Sequence, residues 1–297
     1  FLNKLFVLLN QPVTERSNLP SYLKNYPYVG ERLFRDNYKS PKFSKRSRQA
    51  IIDSGVLDWS EINPDIFGSM MQSVVSQKQR ESTGMHYTSI ANIMKLIGPL
   101  FLNELYEEFE KAKGSEQKLN KLLHRLSNIK IFDPACGSGN FLIIAYKELR
   151  RLEIEIIKEL GQISIYSSIT LENFYGIEID DFAHEIAILS LWLAKHQMSI
   201  EFHNEFGISK PTLPMNETGK IICDNACRIN WESICALEEG YENYIIGNPP
   251  YLGARNQNSE QKKDMQIIFN KDYTSLDYVA AWIFLGCNYI SNSNSKL

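Results

Sequence analysis

Ile93, Ile97, Leu100, Phe101 and Leu105 fall at helical spacing, which places them on one apolar face of a helix predicted over residues 90–111. A charged, glycine-containing loop is expected over 111–117. From Lys130 the pattern changes to short apolar runs that end in glycine or a polar residue. Runs at 129–132, 174–179, 220–223 and 244–247 read as buried strands. A helix over 141–160 follows the first, and a helix capped by Asp180 or Asp181 and reaching about residue 195 follows the second. Towards the N-terminus, short amphipathic helices are expected over 1–10 and 43–54, with Pro12, Pro20, Pro27 and Pro41 preventing long regular elements between them. A capped turn at 58–62 and a helix from 64 towards 79 complete this irregular helical section. Alternation of strand and helix predicts an α/β fold, a parallel sheet with helices on both faces, whose ligands bind at the carboxyl ends of the strands.

Composition narrows the class of protein. Of 297 residues, 43% are apolar and 23% charged, which excludes disordered, collagen-like and coiled-coil chains. No apolar run reaches the roughly 18 residues of a membrane span, and the N-terminus lacks the layout of a signal peptide. Five cysteines form an odd set, and Cys223, Cys227 and Cys235 lack a second ligand pair or a nearby histidine. That argues against a disulfide framework or a zinc site and for a reducing compartment. The net charge of −3 hides an asymmetry: residues 1–48 hold ten Lys or Arg against three Asp or Glu, while the rest holds 22 against 32. Lys39, Lys42, Lys45, Arg46 and Arg48 suit a phosphate backbone or, equally, a solvated linker.

Chemistry concentrates at the strand ends. Asp133-Pro134-Ala135-Cys136-Gly137-Ser138-Gly139-Asn140 is the turn after the first strand. Gly137 and Gly139 let the backbone approach a ligand, and the helix that follows offers unpaired amides. Glu178, ending the second strand, can accept from both hydroxyls of a ribose, and Asp224, after the third, from an exocyclic adenine amine. Asp133 and Asp224 suit turns or caps equally well when taken singly. Together the residues favour a nucleoside cofactor. The fourth strand ends in Asn248-Pro249-Pro250-Tyr251. Two prolines fix the backbone and remove two amide donors, so the Asn248 amide oxygen and the Pro249 carbonyl can both face an NH2 group while the Tyr251 ring stacks on the plane that carries it. Two acceptors favour a tetrahedral nitrogen, which corrects the poor nucleophilicity of an aromatic amine and needs no metal.

Asp133 to Phe141, Gly176-Ile177-Glu178-Ile179-Asp180 and Asn248-Pro249-Pro250-Tyr251 closely resemble motifs I, II and IV of S-adenosylmethionine-dependent DNA adenine-N6 methyltransferases. Gly84-Met85-His86-Tyr87-Thr88-Ser89 is similar to their motif X, with Ser89 where proline is commoner, Asp224 to the motif III acid, and Asp277-Tyr278 to motif V. The order matches the gamma group. Asp58-Trp59-Ser60, Pro64-Asp65-Ile66-Phe67-Gly68-Ser69, Arg80 and Pro99-Leu100-Phe101-Leu102 further resemble the MmeI-like single-chain restriction-modification enzymes. No nuclease signature is recognisable.

The resemblance implies a Rossmann-like methyltransferase over residues 81–297, preceded by a helical connector over 1–80. It implies that Asp133, Pro134, Ala135, Gly137, Gly139, Asn140 and Phe141 shape the cofactor site, although a phenylalanine at a helix start also suits a core. Tyr87 and Thr88 would close over its methionine end, Glu178 would hold the ribose, Ile179 would pack on the adenine, and Asp224 would bind its amine. Asn248, Pro249, Pro250 and Tyr251 would act on an adenine flipped out of double-stranded DNA, without metal. It further implies a bacterial or archaeal cytoplasmic enzyme, no membrane partner, and nuclease and target-recognition domains elsewhere in the full-length chain. The family's sheet has seven strands and four are found here, so the chain reads as an internal fragment with an open edge at its fourth strand, and its final Ser-Lys-Leu as a cut end rather than a peroxisomal address. Glutamine-N5 methylation of a protein, through the same Asn-Pro-Pro-Tyr run, and an inactive cofactor-binding fragment are the alternatives.

Overall fold

A computed structural model of the chain describes residues 1–24, 26, 28, 40–57, 62, 66, 69–70, 88–161, 167–207, 219–271 and 273–291. The chain divides into two compact units, Phe1–Asn63 with Pro211–Asn216, and Pro64–Lys210 with Glu217–Leu297. The expected turn at 58–62, the helix after it, Arg80 and residues 84–87 lie outside the described residues, apart from Ile62, Ile66, Ser69 and Met70.

In the first unit, helices α1 (Leu2–Leu9) and α2 (Lys45–Ser54) form close to where the apolar pattern puts them. Ser44 caps α2 by accepting from the Ser47 amide at 3.1 Å. The described part of the proline-rich stretch forms only single helical turns at Val13–Glu15 and Ser21–Leu23, and Arg16 adds contacts by donating to the carbonyls of Leu8, Gln11 and Tyr26 at 2.9, 2.8 and 2.6 Å.

In the second unit, α3 (Ile90–Ile97) and α4 (Asn103–Ala112) are joined by a wide π turn at Gly98–Leu102. Pro99 lies in that turn and has no N–H to give to the helical ladder, which accounts for the widening. Ile93, Ile97, Phe101 and Leu105 are buried, as the shared face requires. Helix α5 (Glu116–Ser127) was not foreseen, because the charged loop at its start masks the spacing of Leu119, Leu122 and Leu126, all of them buried.

Strands β1 (Ile129–Asp133), β2 (Phe174–Glu178), β3 (Lys220–Cys223) and β4 (Glu242–Ile245) pair in the order β3-β2-β1-β4, every pair parallel. Helices α6 (Asn140–Leu160) and α7 (Asp181–Phe206) follow β1 and β2. Helix α7 runs past the expected residue 195 to Gly207, which takes a left-handed conformation at φ 69° and ends it. Strand β4 begins two residues before its expected start. Its first residue, Glu242, is a poor strand signal, yet Arg125 donates to it at 2.7 and 3.0 Å and makes its burial tolerable.

Side chains alternate across the sheet. Ile129 and Ile131 of β1 face a core shared with α3 to α7, whereas Phe132 faces a second core with Trp231 and two further helices, α8 (Ser259–Phe269) and α9 (Val279–Ile290). Among the described residues the sheet has four strands, with β3 and β4 at its edges.

Asp133 ends β1 at only 1% exposure. Its Oδ1 accepts from the Ala135 amide at 3.0 Å, its Oδ2 is buried with no hydrogen-bond partner, and a Cβ on Gly247 would lie 2.5 Å from Oδ1. Burial, opposed by the Ala135 amide and reinforced by the Glu178 charge, raises this carboxyl to about 8. The native state therefore keeps a proton that the unfolded chain loses near pH 4. This group's contribution to stability is present below that value and disappears as pH rises to about 8, by up to about 1.4 kcal/mol per pH unit. Asp133→Asn keeps the acceptor and removes the titration, so urea unfolding at pH 5 and pH 8 should show a flatter dependence than the parent. An unchanged slope would contradict the assignment.

Candidate active site

The turn after β1 is held largely through its backbone amides. Gly137 and Gly139 take left-handed conformations at φ 55° and 83°. A Cβ on Gly139 would also meet Ala187 of α7 at 3.3 Å, so this glycine allows two helices to approach. The Cys136 amide donates to the Ile177 carbonyl at 3.0 Å, which ties the turn to β2.

Glu178 is the centre of the site. One carboxylate oxygen accepts from the Gly137 amide and the other from the Asp180 amide, both at 2.8 Å. Its backbone carbonyl accepts from the Asp224 amide at 2.9 Å. Burial raises its pKa, and the two amides pull in the opposite direction. Asp224 is exposed at the rim, and its carboxylate accepts from the Asn225 amide at 2.7 Å.

A cavity of about 370 Å³ opens over these strand ends. It brings together Pro134, Ala135, Gly137, Glu178, Ile179 and Asp224 of the expected cofactor set, with Asn248 and Pro250 in the same wall. An adjoining cavity of about 310 Å³ is lined by Asp133, Pro134, Ala135, Phe141, Pro249 and Tyr251. Asp133 and Phe141 thus face the second space and not the first, while Gly139 and Asn140 line neither. Tyr87 lies outside the described residues. Thr88 lines neither cavity and instead accepts from the Asn248 side-chain amide at 3.1 Å. Tyr251 is 58% exposed, its ring available to a stacking partner.

Several lining residues were not foreseen. Asn258, Glu260, Gln261 and Asp264 come from α8, and Trp282 comes from α9. Asn258 and Gln261 form a reciprocal cap at the start of α8, a three-residue spacing readable in the sequence. Asp264 is buried and gathers three donors: Arg228 Nε at 2.6 Å, the Tyr278 hydroxyl at 2.8 Å and Asn225 Nδ2 at 3.1 Å. That network fastens α8 to the loop after β3, and nothing in the local pattern announces it.

The five cysteines are free. Among the described residues, Asp181, His184 and Glu185 are the one group whose ligand atoms lie close enough to hold a metal ion, so Cys223, Cys227 and Cys235 form no such cluster. No helix among the described residues is long and apolar enough to cross a membrane.

The family described as "MmeI, DNA-methyltransferase domain" matches residues 109–297. DNA methyltransferase A of Bacillus subtilis is 51% identical over 308 residues, covering 100% of this chain and 35% of that protein. The type II restriction enzyme and methyltransferase RM.Eco57I of Escherichia coli is 28% identical over 171 residues, covering 50% of this chain and 17% of that protein. Among solved structures, the type IIL restriction-modification enzyme MmeI in complex with DNA superposes with a TM-score of 0.86 at 41% identity, over 99% of this chain and 40% of that one. The chain therefore spans well under half the length of these relatives, and it belongs to the MmeI DNA-methyltransferase domain family.

Proposed function

We propose that this chain carries the cofactor-binding and catalytic residues of a restriction-modification enzyme that methylates adenine N6 in DNA. Methyltransferases of this family use S-adenosylmethionine, which supplies an electrophilic methyl group when bound. One observation carries the reading: Asn248 and Pro250 stand in the wall of the same cavity that holds Glu178 and Asp224. A methyl donor anchored by its ribose and adenine at those carboxylates has its reactive end beside the residues that would hold the acceptor.

The cavity also suits the donor electrostatically. Glu178, Asp180, Asp224, Glu260 and Asp264 line it with no lysine or arginine among them, and a sulfonium ion is a cation. Glu178 would accept from the ribose hydroxyls, Asp224 from the adenine amine, and Ile179, 65% exposed, would cover the adenine face. Pro134, Ala135 and Gly137 would bound the methionine side, with Asp133, Gly139, Asn140 and Phe141 shaping the turn behind them.

At the acceptor end, the Asn248 Oδ1 and the Pro249 carbonyl would take the two N–H bonds of the target amine, and Pro250 would hold the backbone rigid. Tyr251 would stack on a base flipped from the duplex, since the amine cannot be reached inside the helical stack. The electrophile needs no further activation, so no metal is invoked. The DNA in the MmeI complex and the short coverage of the relatives support double-stranded DNA as partner, with nuclease and target-recognition domains elsewhere in the full-length protein. In this reading residues 1–80 are the connector and 81–297 the methyltransferase, working in a bacterial or archaeal cytoplasm with no membrane partner.

Asn248→Ala should lower transfer of radiolabelled methyl groups to plasmid DNA by about 10²-fold or more while leaving cofactor affinity within about twofold. Parallel assays of this chain and a longer one show whether the region is active alone. Loss of cofactor binding in Asn248→Ala, or label entering protein and not DNA, would overturn the reading. Glu178→Ala should instead weaken cofactor binding, by about 10- to 100-fold in calorimetry. Unchanged affinity would remove Glu178 from the cofactor set.

A further inference from the structure

Asn248 carries an amide, and an amide has two chemically different ends. Rotation about its last side-chain bond exchanges an acceptor for a two-proton donor with little change in shape. Presented with its NH2 end, the same residue would face the target amine donor to donor and repel it. Something must choose the end.

The target amine itself favours the oxygen, and the contact with Thr88, whose hydroxyl could pair with either end, is made through Nδ2. Thr88 immediately precedes Ser89, whose carbonyl accepts from the amides of Asn92 and Ile93 at 3.0 Å in the first turn of α3. The start of that helix thus anchors the backbone next to the residue that carries the hydroxyl. Its Oγ1 lies 3.1 Å from Asn248 Nδ2, half-buried and outside the cofactor cavity. With Nδ2 engaged there, Oδ1 points away from Thr88.

We propose that Thr88 is a positioning residue for Asn248: its hydroxyl accepts the amide NH2 and so presents the amide oxygen to the target amine. Its role is in the catalytic step and not in cofactor binding, to which family resemblance would assign it. The inference rests on Asn248 being an acceptor for that amine. It also gives the segment before α3 a direct part in the chemistry, although 160 residues separate it from the Asn-Pro-Pro-Tyr run.

Thr88→Val replaces the hydroxyl by a methyl group of similar size, and Thr88→Ser keeps the hydroxyl. In the full-length protein acting on plasmid DNA, Thr88→Val should lower kcat about 10-fold with cofactor Kd unchanged within about twofold, and Thr88→Ser should retain most of the parent kcat. A Thr88→Val protein with unchanged kcat overturns the proposal. So does a loss shared equally by Thr88→Ser, or an increase in cofactor Kd that accounts for the defect. Asn248→Ala, assayed alongside, separates the two levels: if it remains active, the acceptor role of Asn248 fails, whereas if it is inactive and Thr88→Val is normal, only the positioning role fails.

Discussion

A single carboxylate holds the strand ends together. Glu178 takes the Gly137 amide on one oxygen and the Asp180 amide on the other, and its own carbonyl receives the Asp224 amide. Three consecutive strand-to-loop junctions are therefore fixed to one residue. Parallel strands leave such junctions to separate loops with no hairpin between them, and the amides at the turn after β1 would otherwise lack acceptors. The cost of desolvating the carboxylate is offset by the amides that it satisfies. The same residue lines the cavity that opens over these strand ends.

A second buried carboxylate serves the opposite wall. Asp264 draws in Arg228, Tyr278 and Asn225, and thereby fastens α8 to the loop after β3 beside the cavity. Asp133 differs from both in keeping one oxygen without a partner, and burial holds its proton on. The site is thus built from three acids in three states: one bridging amides, one gathering side-chain donors, and one neutral at the floor.

Much of this was legible in the sequence, for identifiable reasons. The strands β1 and β2 were visible because they are buried on both faces, and helix α6 because its apolar positions are dense and regular, whereas β3 is an edge strand with Lys220 and Cys223 exposed. The site residues at strand ends were visible because a parallel sheet dictates where its loops converge. Helix α5 was hidden by the charged residues at its start, and the start of β4 by Glu242, whose partner Arg125 is 117 residues away. Long-range pairing of this kind leaves no local periodicity. The same holds for Asp264 and for the contact of Thr88 with Asn248, since each joins segments that only the fold brings together. Gly139 has a packing role that its motif did not announce, since a Cβ there would meet Ala187 of α7 at 3.3 Å.

The central claim is that Asn248 and its neighbours act on the exocyclic amine of adenine in DNA. Incubating the full-length protein with plasmid DNA and S-adenosylmethionine bearing a deuterated methyl group, then digesting the DNA to nucleosides for mass spectrometry, tests it most directly. The account predicts the deuterated methyl group in N6-methyldeoxyadenosine. Label confined to a methylated cytosine, or absent from DNA and present in a protein glutamine, would contradict it.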